Sequence, residues 1–97
     1  MKKQQKALID TLSKKNTFQY NILKAAEECQ ELSLVLTQLI NKPEKVSKQD
    51  IIDEIGDVAI RIEFLKNVFN REAIHKRIEV KLSNYSGWLE QGTYKNI

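Results

Sequence analysis

Ile22-Leu23-Lys24-Ala25-Ala26-Glu27-Glu28-Cys29-Gln30-Glu31-Leu32-Ser33-Leu34-Val35-Leu36-Thr37-Gln38-Leu39 is the stretch on which the reading of the whole chain turns. Its apolar positions Ile22, Ala25, Cys29, Leu32, Leu36 and Leu39 recur every three or four residues, the period of one buried helical face. Upstream, Asn16 with Gln19 three residues later reads as a capping box, which starts this helix near Thr17. Downstream, Asn41-Lys42-Pro43 ends it, because proline disfavours helical geometry in the residue before it and cannot donate a backbone hydrogen bond.

The same grammar continues in both directions. Ser47 with Asp50 is a second capping candidate, and the spacing predicts a helix from about Lys48 to Phe69. Asn70 marks a break, followed by a helix from Arg71 to Tyr85 or slightly beyond, with an apolar stripe at Ile74, Ile78, Leu82 and Tyr85. Gly87 and Gly92 are its candidate stops. A shorter helix near Lys3 to Leu12 precedes them all. With only 3 Gly and 1 Pro among 97 residues, interruptions are few. The expectation is a single all-α domain over residues 1–97, an antiparallel bundle of about four helices. A chain this short buries a modest core, so the bundle is expected to be completed by oligomerisation.

Composition narrows the partners. Hydrophobic residues are 41% and charged residues 30% of the chain, a globular balance. No apolar run approaches the length of about 18 residues that a bilayer requires, and Gln4, Gln5 and Lys6 stand where a signal peptide would be apolar. One cysteine, Cys29, permits no intrachain disulfide, and the chain is read as cytoplasmic with no membrane partner. The net charge of +3 hides a segregation: eight of the thirteen acids fall between Glu27 and Asp57, with most of the basic residues on either side. A nucleic-acid binder would show a basic stripe with few interleaved acids, so no nucleic-acid partner is expected.

Those acids are patterned. Residues three apart on a helix differ by about 60° around its axis. Glu28 and Glu31 therefore share one side of the second helix, and Glu54 and Asp57 share one side of the third. The 22 residues between the pairs hold one helix end, a turn at Pro43 and the first turn of an antiparallel partner, so the pairs can meet across a seam. Wheel arithmetic centres the third helix's apolar face on Ile51, Val58, Ile62 and Leu65, with Glu54, Asp57 and Arg61 at its edge. Glu28 borders the second helix's apolar face, and Glu31 sits farther round. Converging carboxylates repel one another and have raised pKa values unless a cation is present. A hard divalent ion with oxygen ligands, Mg²⁺ above all and Mn²⁺ as a substitute, relieves that repulsion. The competing reading is a solvated helix face whose acids pair with lysines.

Taken together, Lys24-Ala25-Ala26-Glu27-Glu28-Cys29-Gln30-Glu31-Leu32 and Asp53-Glu54-Ile55-Gly56-Asp57-Val58 resemble the E-x-x-E and E-x-x-D motifs of the MazG-like all-α nucleoside triphosphate pyrophosphohydrolases. The resemblance covers roughly residues 17 to 92. It implies hydrolysis of a nucleoside triphosphate between the α- and β-phosphates, giving monophosphate and pyrophosphate. By matching positions, Glu28, Glu31, Glu54 and Asp57 would hold Mg²⁺ and serve the catalysis, with one of them steadying the attacking water. It also implies a homodimer or homotetramer with sites near subunit interfaces. The related phosphoribosyl-ATP pyrophosphohydrolases follow their second acidic motif with Tyr-His, where this chain has Val58-Ala59-Ile60-Arg61.

Around these acids the assignments fan out. Lys24 and Arg61 lie one turn from Glu28 and Asp57 and are candidate phosphate contacts, or ion-pair partners of those acids. Arg77 and Lys81, one turn apart on the fourth helix, are a second candidate phosphate-binding pair. Glu27 is expected in a solvent-side ion pair. Phe18 and Tyr20 are candidates for base stacking or packing, and Trp88 for packing or a subunit contact. Cys29 reads as a small buried hydrophobe. Gly56, costly inside a helix by about 1 kcal/mol, suggests a close helix–helix approach. Glu72-x-x-His75 has di-iron spacing, but such sites need two of these motifs and His75 is the sole histidine. The non-enzymatic alternative is a helical interaction or nucleotide-binding module.

Overall fold

The computed structural model describes residues 1–93, and these form four α-helices with no strand. Helix α1 spans Lys3–Lys15, α2 Phe18–Asn41, α3 Lys48–Val68 and α4 Arg71–Glu90, with a single 3₁₀ turn at Pro43–Lys45. Their ends have local causes. Thr17 Oγ1 accepts the Tyr20 N–H at 3.0 Å and starts α2. This differs from the Asn16–Gln19 capping box expected. Asn16 is occupied in closing α1, and its side-chain amide donates to Asn21 Oδ1 instead. Ser47 and Asp50 form the expected reciprocal box at α3, at 2.9 and 3.0 Å. Asn70 Oδ1 accepts from Ala73 N–H to open α4.

At the far end α4 runs through Gly87 and stops at Gly92, whose φ of +67° favours glycine. Thr93 N–H reaches Trp88 O and Gly92 N–H reaches Leu89 O, the paired bonds that close a Schellman C-terminus.

The core of the architecture is an α2–α3 hairpin. Phe18 meets Phe69 edge-on at 6.0 Å at one end, while Glu28 approaches Glu54 and Asp57 nearer the other. Partner numbers on α3 fall as those on α2 rise, so the two helices are antiparallel. Helix α1 lies along α3: Asn67 donates to Asp10 at 2.8 Å and to Ser13 at 3.1 Å. Asn21, 1% exposed, donates to Ser13 O at 3.2 Å. That carbonyl belongs to the last turn of α1, which has no partner within its own helix. Arg71 donates to Glu63 and Asn67 and fixes the α3–α4 corner.

The inward face of α2 keeps Ile22, Ala25 and Leu32 of the expected stripe but is rotated away from its other members. Asn21, Ala25 and Glu28 are buried, and Leu32, Val35 and Gln38 half-buried, whereas Cys29, Leu36 and Leu39 are exposed. The expectation of a buried Cys29 is therefore corrected. The face chosen is the one that admits Asn21 and Glu28, and the Leu36 stripe is left on the outside. On α3 the expected centre holds at Ile51, Val58 and Leu65, which are half-buried, while Ile62 is exposed and the seam extends to Glu54, Arg61 and Phe64, with Phe64 only 3% exposed. Gly56 is exposed and a Cβ there would meet nothing within 4 Å, so the expected close approach at this position is not made within the chain.

Helix α4 adds little to this core. Ile74 and Tyr85 are half-buried, but Ile78 and Leu82 on the same expected stripe are exposed. The buried apolar core consists of Ile9, Ala25 and Phe64. The Cα radius of gyration is 16.6 Å, against about 13 Å for a compact domain of 100 residues. Accessible surface is 7732 Å², where a compact monomer of this mass exposes about 5,700 Å². Among the described residues no helix is long and apolar enough to cross a membrane.

Candidate metal centre

The rotation of α2 that expels Cys29 turns Glu28 into the seam. There it meets Glu54 and Asp57, brought from α3 by the antiparallel pairing. One carboxylate oxygen from each of the three lies within 4.8 Å of the other two. Glu28 is 8% exposed, Glu54 is half-buried and Asp57 faces solvent. The cluster thus has a closed inner side and an open outer one.

Two atoms carry the chemical argument. Glu28 Oε2 and Glu54 Oε2 are both buried and neither has a hydrogen-bond partner. A buried carboxylate oxygen without a donor forfeits its solvation, and a folded protein normally supplies one. Here two carboxylates of one cluster each have such an oxygen. Charge tells the same story. Desolvation, followed by repulsion from Asp57 and then Glu28, raises the pKa of Glu54 above the ordinary carboxylate value.

A divalent cation fits this donor set. Three oxygen ligands on an octahedral Mg²⁺ include at least two adjacent pairs, which stand about 3.0 Å apart given bonds of about 2.1 Å. Carboxylate oxygens within 4.8 Å of one another would draw together by side-chain rotation to reach such positions. Mn²⁺ accepts the same oxygen donors.

Glu31 lies beside Glu28 but outside the trio. It is exposed, and its ligand atoms are not among those gathered within 4.8 Å. It still feels the cluster, because the charge on Glu28, then desolvation and then Glu54 hold its pKa above the ordinary value. Lys24 Nζ reaches Glu27 at 3.3 Å and Glu28 at 3.6 Å, so the solvent-side pairing expected of Glu27 is present. Arg61 makes no ion pair with Asp57; its guanidinium lies 5.0 Å from the centre of the Phe64 ring. Arg77 and Lys81 are exposed on α4, where the Lys81 ammonium sits 5.4 Å from the Tyr85 ring. No ion pair joins either to the carboxylates among the described residues. Phe18 and Tyr20 are exposed, and Trp88 rests against Tyr85 with 5.6 Å between ring centres.

The polar contacts that hold the site's framework escaped the helical pattern. Asp10 and Asn67 are 57 residues apart, and no local spacing signals their pairing. Asn21 carried a faint signal: it interrupts the apolar run just where α2 passes the end of α1.

Comparison with known proteins returned no matching family model, no matching curated protein and no matching solved structure.

Proposed function

We propose that this chain is a Mg²⁺-dependent nucleoside triphosphate pyrophosphohydrolase of the MazG-like kind, yielding the nucleoside monophosphate and pyrophosphate. The observation that carries the reading is the trio Glu28, Glu54 and Asp57, with two buried, unpartnered oxygens that a divalent cation would satisfy. The substrate class is what the resemblance of the two acidic motifs to the MazG-like family implies. Glu28, Glu54 and Asp57 would hold the metal, and Glu31 stands at the cluster's rim, near enough for its charge to couple to theirs. Bound Mg²⁺ supplies charge neutralisation at the phosphate oxygens and a water of lowered pKa.

The chain's own residues divide the remaining work by burial. Glu28 and Glu54, held in the seam, are suited to fixed coordination. Asp57 and Glu31 face solvent, where an incoming triphosphate and the attacking water arrive, and one of them takes the water's proton. Lys24 and Arg61 flank the cluster as phosphate contacts. Arg77 and Lys81 belong to a helix with few neighbours of its own and are best placed to serve after assembly.

Assembly is part of the proposal. The chain exposes about 2,000 Å² more than a compact monomer of its mass, comparable to the interfaces of stable oligomers. Exposed Leu36 and Ile40 on α2, Ile52 and Ile55 on α3, and Ile78 and Leu82 on α4 supply the apolar surface. A homodimer or homotetramer working in the cytoplasm is the corresponding expectation.

The test is pyrophosphate release from a panel of ribo- and deoxynucleoside triphosphates with and without Mg²⁺. Turnover that needs the metal and disappears in Glu54→Gln and Asp57→Asn, with helical circular dichroism retained, supports the reading. The same apolar exposure favours a second reading, a helical interaction module without catalysis. Absence of turnover with either Mg²⁺ or Mn²⁺ across the panel selects it.

A further inference from the structure

Lys24 lies one turn before Glu28 on α2 and engages two acids at once. Its ammonium is 3.3 Å from Glu27 Oε1 and 3.6 Å from Glu28 Oε1. The two acids are differently placed. The Glu27 side chain is 54% exposed, whereas that of Glu28 is 11% exposed. Only Glu28 belongs to the carboxylate trio, and its second oxygen is one of the buried, unpartnered pair. The ammonium and any cation entering the trio therefore draw on the same Glu28 carboxylate. A positive charge already resting there lowers that carboxylate's attraction for another. Glu27 makes the closer contact and the hydrogen bond, and draws the ammonium to the outer side.

We propose that Lys24 is a resident competitor for the divalent cation at Glu28, and that Glu27 is the positioning residue that holds it back. The pair sets the metal affinity of the site. The proposal rests on the reading of Glu28, Glu54 and Asp57 as a metal centre. Without the Glu27 charge, the ammonium has Glu28 as its remaining partner, and the metal must displace it. Without Lys24, Glu27 has nothing to hold and its charge becomes irrelevant to the trio except through solvent.

The experiment is a thermodynamic cycle on the full chain, using Mn²⁺ alone as the probe and reading free Mn²⁺ by electron paramagnetic resonance. Glu27→Gln is expected to weaken Mn²⁺ binding about threefold, and Lys24→Met to tighten it by about the same factor. The deciding quantity is the double variant. With Lys24→Met already present, Glu27→Gln should have no further effect, because the residue it restrains is gone. Circular dichroism checks that each variant keeps its helices, and Lys24→Gln repeats the cycle with a shorter polar side chain.

A general surface-potential effect makes a different forecast: Glu27→Gln weakens binding equally with or without Lys24. That result, or unchanged affinity in both single variants, overturns the restraint while leaving the metal centre standing. A wild-type chain with no saturable Mn²⁺ binding, or binding that Asp57→Asn leaves intact, overturns the metal centre and this proposal together.

Discussion

Glu28 on α2 and Glu54 on α3 bring carboxylate oxygens within 4.8 Å of each other across the helix seam, and one oxygen of each is buried without a hydrogen-bond donor. A seam position filled this way is a poor choice for stability, since an apolar residue there would cost no desolvation and create no repulsion.

The first prediction follows from that cost. Glu54→Gln should raise the melting temperature of the metal-free chain at neutral pH and abolish any rise caused by Mg²⁺. The sign can be worked out from linkage. The folded-state pKa of Glu54 is raised, so the folded chain binds more protons than the unfolded one just above the ordinary carboxylate pKa. Its stability then falls as pH rises through that window. The advantage of Glu54→Gln over wild type should accordingly be full at pH 7 and vanish as pH drops below the ordinary carboxylate pKa. Thermal melts of both proteins across pH, with and without Mg²⁺, check it. A variant that melts below wild type at neutral pH contradicts it.

The N-terminus of α3 behaves in the opposite sense. The Ser47 backbone N–H, then its hydroxyl, hold the Asp50 carboxyl below its ordinary value. A lowered folded pKa contributes stability above the unfolded value, and this is lost as pH falls through the folded one. The difference between wild type and Asp50→Asn should therefore be constant near neutrality and shrink below about pH 4. Ser47→Ala should cost about 1 kcal/mol at neutral pH by removing the cap. Denaturant titrations at two pH values measure both.

Gly56 supplies a third. It sits inside α3 with no atom near the position a Cβ would take. Replacing it by Ala removes backbone freedom from the unfolded chain, and stability should rise by about 1 kcal/mol. A fall would mean that another copy of the chain packs closely on this face, which urea unfolding at several protein concentrations would reveal.

Local sequence signals were enough to identify all four helices, the Ser47 cap, the break at Asn70 and the turn at Pro43, because each is decided within a few residues; that Asn70 also caps α4 came from the structure. The motif spacing was likewise enough to bring Glu28 to Glu54 and Asp57. What periodicity missed was the choice between adjacent faces. On α2 the stripe Ile22-Cys29-Leu36 is more apolar than the stripe Asn21-Glu28-Val35, yet the latter turns inward. Asn21 belongs there because it satisfies a carbonyl at the end of α1, a partner eight residues away across a turn. Cys29 and Leu36 are then left outside, and Gly56 on α3 opens to solvent too. A single-chain helical wheel has no means of telling a face that packs within the chain from one available to another chain.

That second face gives a fourth prediction. Light scattering should find the wild-type protein at a mass at least twice the 11.3 kDa of the chain. Leu36→Glu, placing a charge on the outer stripe of α2, should shift it toward monomer while the contacts of Asn21 and Asn67 with α1 are untouched. A wild-type monomer at micromolar concentration would remove assembly from the account.

Whether the proposed Glu28, Glu54 and Asp57 metal cluster serves α–β phosphate cleavage is read from the reaction itself by ³¹P nuclear magnetic resonance. Nucleoside triphosphates incubated with the chain and Mg²⁺ should yield monophosphate and pyrophosphate in equal amounts, and Asp57→Asn should yield neither. Release of orthophosphate with diphosphate, or no product from any nucleotide with Mg²⁺ or Mn²⁺, would contradict the proposal.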